Sequence, residues 1–95
     1  MSAYVILDIT VHEPELFEQY KQLAPATIAA YGGRYLARGG KAEALEGDRS
    51  PNRIVILEFD NAETAKKWLD SPEYREARSM RNQAATSHTI LVEGV

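Results

Sequence analysis

Asp8 and Glu58 are the acids whose spacing could do chemistry, because each follows apolar residues at intervals of two, Tyr4 and Ile6 before Asp8, Ile54 and Ile56 before Glu58. Extended chain alternates side chains between two faces, so each acid shares a face with its apolar neighbours and points at the same apolar space. Carboxylates are rarely buried there without a partner, and Arg34 or Arg38 on the adjoining strand can supply the cation. A cluster of this kind would bind an anionic or carbonyl-bearing small molecule in a cavity, with one acid tuned for proton transfer. The plainer alternative is an ion pair at the strand ends or at a subunit interface, since ion-pair networks gather charge in the same way. His88, whose ordinary pKa of about 6.5 suits a general base, is the remaining candidate, with a surface or rim position as its plainer reading.

Other chemistries find less support. The chain has no cysteine, which excludes disulfides, thiolate zinc sites, iron–sulfur clusters and cysteine nucleophiles. His12 and His88 are the only histidines and do not stand at a metal-binding spacing, so no metal is expected, and no cofactor is implied. Arg75, Arg78 and Arg81 recur every three residues and read as a solvated basic helical stripe, offset by Glu73 and Glu76, or else as a patch for a phosphate or an acidic partner. The segment YGGRYLARGG resembles a phosphate loop only in composition: such loops put glycines between a strand and a following helix, and here a helix precedes and a strand follows. A formal charge of −3 with a pI near 5.3 argues against a general polyanion binder.

These residues are positioned by elements that the pattern makes plain. Tyr4 to Val11 alternates as a strand. Pro14 with Glu13 and Glu15 opens a helix whose apolar stripe of Leu16, Phe17, Tyr20, Leu23, Ala24, Ile28 and Tyr31 ends at Gly32 and Gly33. Pro25 should kink or restart it. A second strand follows from Arg34. Gly39 and Gly40 suggest a β-bulge, with Lys41 to Leu45 continuing the extended run. After a turn at residues 47–52, Arg53 to Phe59 is the third strand. Asp60 and Asn61 cap a helix bearing Ala62, Ala65, Trp68 and Leu69. Ser71-Pro72-Glu73 restarts a helix whose buried stripe is Tyr74, Ala77, Met80 and Ala84, and Thr86 to Glu93 is the last strand.

The order βαββαβ predicts an α+β, ferredoxin-like, single-domain chain over residues 1–95, a four-stranded antiparallel sheet with its helices on one face. Ile54-Val55-Ile56-Leu57 is apolar on both faces, and the helices cover one. The face bearing Tyr4, Ile6, Ile54 and Ile56 therefore needs a cover, and a homodimer with facing sheets is the simplest. The opening MSAYVILDITV lacks a basic segment followed by a long apolar run, so a cytoplasmic protein without a membrane span is expected. The same strand order occurs in RNA-binding modules, but the third strand carries aliphatics and an acid where stacking aromatics are needed, which disfavours nucleic acid.

FEQY, AYGGRYLARGG, LEG at Leu45 to Gly47, PNRIVILEF, Trp68, SPEYREAR and the terminal EGV together resemble the domain of unknown function 1330 family, across essentially the whole chain. Many members have FP after the third strand and an aromatic after the tryptophan, whereas Asp60 and Leu69 stand here; Arg38, Arg53, Glu58, Ser71 and Tyr74 match. The resemblance implies a dimeric α+β barrel. That superfamily includes cofactor-independent monooxygenases, haem-degrading enzymes, muconolactone isomerases and simple ligand binders, a range that fold does not narrow. The family pattern carries no catalytic assignment. Three readings stand: a small-molecule binder, an oxygenase- or isomerase-like enzyme working through Asp8, Arg38 and Glu58, and an interaction or stress-associated module.

Overall fold

A computed structural model describes residues 1–95. The chain runs β1 (Ala3–Val11), α1 (Pro14–Ala30), β2 (Arg34–Arg38), β3 (Arg53–Phe59), α2 (Ala62–Leu69), α3 (Pro72–Ala84) and β4 (Ala85–Glu93). The strands form one antiparallel sheet in the order β2-β3-β1-β4, and the helices lie on one face. The ferredoxin-like reading holds.

Local signals set the helix starts. Asn61 accepts a hydrogen bond from the Thr64 amide at 2.8 Å, and Ser71 accepts one from the Tyr74 amide at 3.1 Å with Pro72 in the first turn, so amides that the first turn leaves unpaired are satisfied. The helix does not restart at Pro25: α1 is continuous from Pro14 to Ala30, with the proline inside it. The alternation in β1 puts Ala3, Val5, Leu7 and Ile9 under the helices, where they meet Val55, Leu57 and Phe59 of β3 and the aromatics Phe17, Tyr20, Trp68 and Tyr74. The opposite face carries Tyr4, Ile6, Ile54 and Ile56, extended on β4 by Ile90 and Val92, which are 59% and 46% exposed. No helix is long and apolar enough to cross a membrane.

The bulge lies elsewhere than the glycines suggested. Tyr35 pairs with Leu57 and Ala37 with Ile56, so Leu36 is the extra residue and β2 ends at Arg38. Lys41 to Leu45 is not a strand; it lies in an exposed connection in which Gly40 to Ser50 have no pairing partner to replace their contacts with water. Gly39 has another role. Its φ is +71°, its amide donates to the Ile54 carbonyl at 2.9 Å, and a Cβ there would land on the Arg53 guanidinium. Gly39→Ala is expected to cost about 1–3 kcal/mol through the strained backbone and the displaced arginine. Gly40→Ala, with open space around it, should stay within about 0.5 kcal/mol. Urea midpoints of the two variants check the contrast.

Candidate ligand site

The bulge decides what the site contains. Without it, Arg38 would share the helix-free face with Arg34; the extra residue turns Arg38 opposite Val55, onto the helix-facing side. There it lines a cleft between α1 and the sheet together with Tyr20, Lys21, Tyr35 and Arg53, over a floor of aliphatic core. The enclosed part holds about 20 Å³, room for one water molecule, and the cleft with its open mouth measures about 340 Å³. Anything larger than water enters by moving the side chains at the mouth.

Pro25 fixes the resting position of Arg38. A proline nitrogen has no hydrogen, so the carbonyl four residues earlier, that of Lys21, lacks its helical donor. Arg38 Nη2 donates to that carbonyl at 2.7 Å, and its guanidinium carbon sits 4.6 Å from the Tyr35 ring centroid. Arg53 lies 5.4 Å from the Phe17 ring centroid, with its Nε buried and unpartnered. Burial pushes the Tyr35 hydroxyl pKa up, so it is a neutral donor at physiological pH.

Behind the cleft, the Tyr20 and Tyr74 hydroxyls lie 2.8 Å apart, and Arg81 Nη1 donates to the Tyr74 oxygen at 3.1 Å. Arg81 is 5% exposed, its Nε has no partner, and burial drives the Tyr74 pKa strongly upward. Ion pairs join Glu18 to Lys21, Arg34 to Glu58, Glu63 to Lys67 and Asp70 to Arg78. None neutralises Arg38, Arg53 or Arg81, and no carboxylate lines the cleft. The site is rich in donors and positive charge and poor in acceptors.

The acids expected to form a site do not meet. Asp8 and Glu58 share the helix-free face, but Asp8 lies opposite Ile54 while Glu58 lies opposite Tyr4, roughly 13 Å away at about 3.3 Å per residue. Arg38 is on the other face from both. Glu58 takes a hydrogen bond from Arg34 Nε at 2.6 Å, and this bond, followed by one from Ser2, holds its pKa below the usual carboxylate range. Asp8 accepts a hydrogen bond from the Asn52 amide at 3.2 Å and stands beside His88, which is exposed. No group of three or more histidine, cysteine or acidic side chains converges.

The basic stripe also dissolves. Arg75 is exposed, Arg78 binds Asp70 and the Leu69 carbonyl, and Arg81 is buried, while Met80 of the expected stripe is only partly buried at the edge of the core. The signal was present: Tyr74, Ala77, Arg81 and Ala84 recur at three and four residues, a stripe as regular as the one chosen. Charge alone pointed Arg81 outward. Tyr20, Tyr35, Tyr74 and Arg53 were missed as site residues because tyrosines on apolar stripes and a strand-end arginine have no distinguishing spacing.

No functionally curated protein matches the chain. Among solved structures, it resembles a protein of unknown function from Rhodopseudomonas palustris, at 20% identity and a TM-score of 0.76 over 99% of this chain and 82% of that one. It also resembles SnoaB, a cofactor-independent oxygenase from Streptomyces nogalater, at 18% identity and a TM-score of 0.72 over 99% of this chain and 93% of that one. A third relative is a dimeric protein of unknown function and ferredoxin-like fold from Bacteroides fragilis, at 14% identity and a TM-score of 0.63 over 98% of this chain and 96% of that one. At these identities the likeness speaks for the fold. A family model, in contrast, matches residues 2–95, and by that match the chain belongs to the family described as domain of unknown function DUF1330.

Proposed function

We propose that this protein is a homodimer that binds a small organic anion in the cleft between α1 and the sheet. The observation that carries the reading is the set of guanidinium groups, Arg38 and Arg53 at the cleft and Arg81 behind it, with no carboxylate to balance them. Of the three only Arg81 is buried; Arg38 is exposed and Arg53 half-buried, so an anion entering the mouth meets two cations that no ion pair already occupies and gains charge-assisted hydrogen bonds from them. The dimer is supported by the uncovered apolar face of the sheet and by the dimeric Bacteroides relative. The test is a thermal-shift screen of small acids, phenols and quinones. A ligand at about a hundred times its Kd raises stability by about 2.7 kcal/mol. No shift from any class would overturn the cleft reading.

Arg38→Ala separates binding from structure. Expected is at least a roughly tenfold loss of affinity, on the order of 1.4 kcal/mol, with the dimer intact. Loss of the dimer with unchanged affinity points to a structural arginine instead. Titration calorimetry and light scattering on the same sample read both. A second reading, an oxygenase- or isomerase-like enzyme, is favoured by the fold it shares with SnoaB and by the tyrosine hydroxyls at the cleft, and oxygen consumption with an identified ligand would test it.

A further inference from the structure

The hydroxyl pair behind the cleft has a direction, and the arginine sets it. A guanidinium donates and cannot accept. Arg81 Nη1 therefore occupies a lone pair of the Tyr74 oxygen, and the Tyr74 proton must find an acceptor of its own. The oxygen in reach is that of Tyr20, 2.8 Å away. Were Tyr20 the donor instead, Tyr74 would accept twice, and its proton, on a side chain with 0% exposure, would face no acceptor. Burying an unsatisfied donor is unfavourable, so Tyr74 donates to Tyr20. Tyr20 accepts there, and its own proton is turned away from the pair. Tyr20 lines the cleft, where no carboxylate waits to take that proton.

We infer that Tyr20 is the hydrogen-bond donor that meets the ligand's oxyanion, aimed by Tyr74 and Arg81, and that the cleft takes weakly acidic phenols or enols as their conjugate bases. This rests on the cleft reading proposed above and specifies its ligand. Hydrogen bonds in which the acceptor is ionised are roughly twice as strong as neutral ones, and each donor in the line polarises the next, so the relay favours the ionised ligand over its acid. Tyr74 and Arg81 act through Tyr20 and are positioning residues. The cations at the mouth, Arg38 and Arg53, add charge of the same sign.

The probe for the test is 4-nitrophenol, whose phenolate has a visible absorption band that the phenol lacks. Its ionisation is titrated free and in the presence of saturating wild-type protein. The bound probe is expected to ionise at a pH lower by about one unit or more, a tenfold or greater preference for the phenolate. In Tyr20→Phe and in Tyr74→Phe this displacement should shrink to less than half, while the probe still binds through the cations at the mouth; circular dichroism confirms that each variant is folded. If Tyr20→Phe does not fold, Tyr74→Phe, which leaves Tyr20 without its orienting donor, carries the comparison alone. A wild-type protein that binds the probe without displacing its ionisation, or tyrosine variants that keep the full displacement, overturns the role given to Tyr20 and leaves the cleft reading standing. A wild-type protein that fails to bind 4-nitrophenolate, and binds no other small anion, overturns both.

Discussion

Ile56→Lys is expected to yield a folded monomer. Ile56 sits at the middle of the helix-free face, paired with Ile6 of β1 and Ala37 of β2, and Ile6 in turn pairs with Ile90 of β4. The substitution changes no helix-side contact, because Val55 and Leu57 on either side face the core. In the proposed dimer the effect is doubled by symmetry, since each protomer brings one ammonium to the shared interior. Removing an ammonium from water into an apolar interior costs several kcal/mol when no anion meets it. A penalty of about 4 kcal/mol weakens association about a thousandfold. Sedimentation velocity across a concentration series should show a monomer at concentrations where the wild type is paired, with an unchanged far-ultraviolet circular dichroism spectrum. A variant that remains dimeric would remove the open face as the interface.

The largest stability loss is expected from Trp68→Ala. Trp68 is fully buried, its ring centroid lies 4.2 Å from that of Tyr74 and 5.4 Å from that of Phe59, and its Nε1 donates to Thr27 Oγ1 at 3.1 Å. Truncation removes the transfer energy of the indole and leaves a cavity, together about 3–5 kcal/mol. Domains of this size hold a total of about 5–15 kcal/mol, so much of the stability goes with one residue. Trp68→Phe should lose less, because a ring still stacks on Tyr74 while the hydrogen bond to Thr27 and some volume are gone. Denaturant midpoints for the pair, with unchanged m-values, give the difference. If Trp68→Ala cost less than about 1 kcal/mol, the close packing of α2 and α3 on the sheet around Trp68 would be overturned.

Sequence periodicity carried the fold because its signals were local and mutually consistent. Period two in Tyr4 to Val11, Ser71 before Pro72 and the two-sided apolar run at Ile54 to Leu57 each fix an element without reference to distant residues. The bulge could not be read this way. Glycine pairs mark places where a bulge is tolerated, but the extra residue was set by pairing between β2 and β3, and the glycine with positive φ was needed to clear Arg53. That single displacement moved Arg38 across the sheet and separated it from Asp8 and Glu58. The direction of the two acids was legible; their separation along the strands was not, because it depends on register. Arg81 shows the opposite failure. Its spacing was legible, and its charge was allowed to outvote the spacing.

In the proposed site, Pro25 would narrow the ligand further. At rest, Arg38 already holds a neutral acceptor, the Lys21 carbonyl left free by the proline. That carbonyl is an internal competitor, present at constant concentration and lost to Arg38 whenever a ligand takes its place. A ligand offering only a neutral carbonyl exchanges like for like and gains little. An anion exchanges a neutral bond for a charge-assisted one, roughly twice as strong. In that proposal a flaw in a helix becomes a filter for charge, set through Arg38 by a backbone carbonyl that the ligand itself never touches.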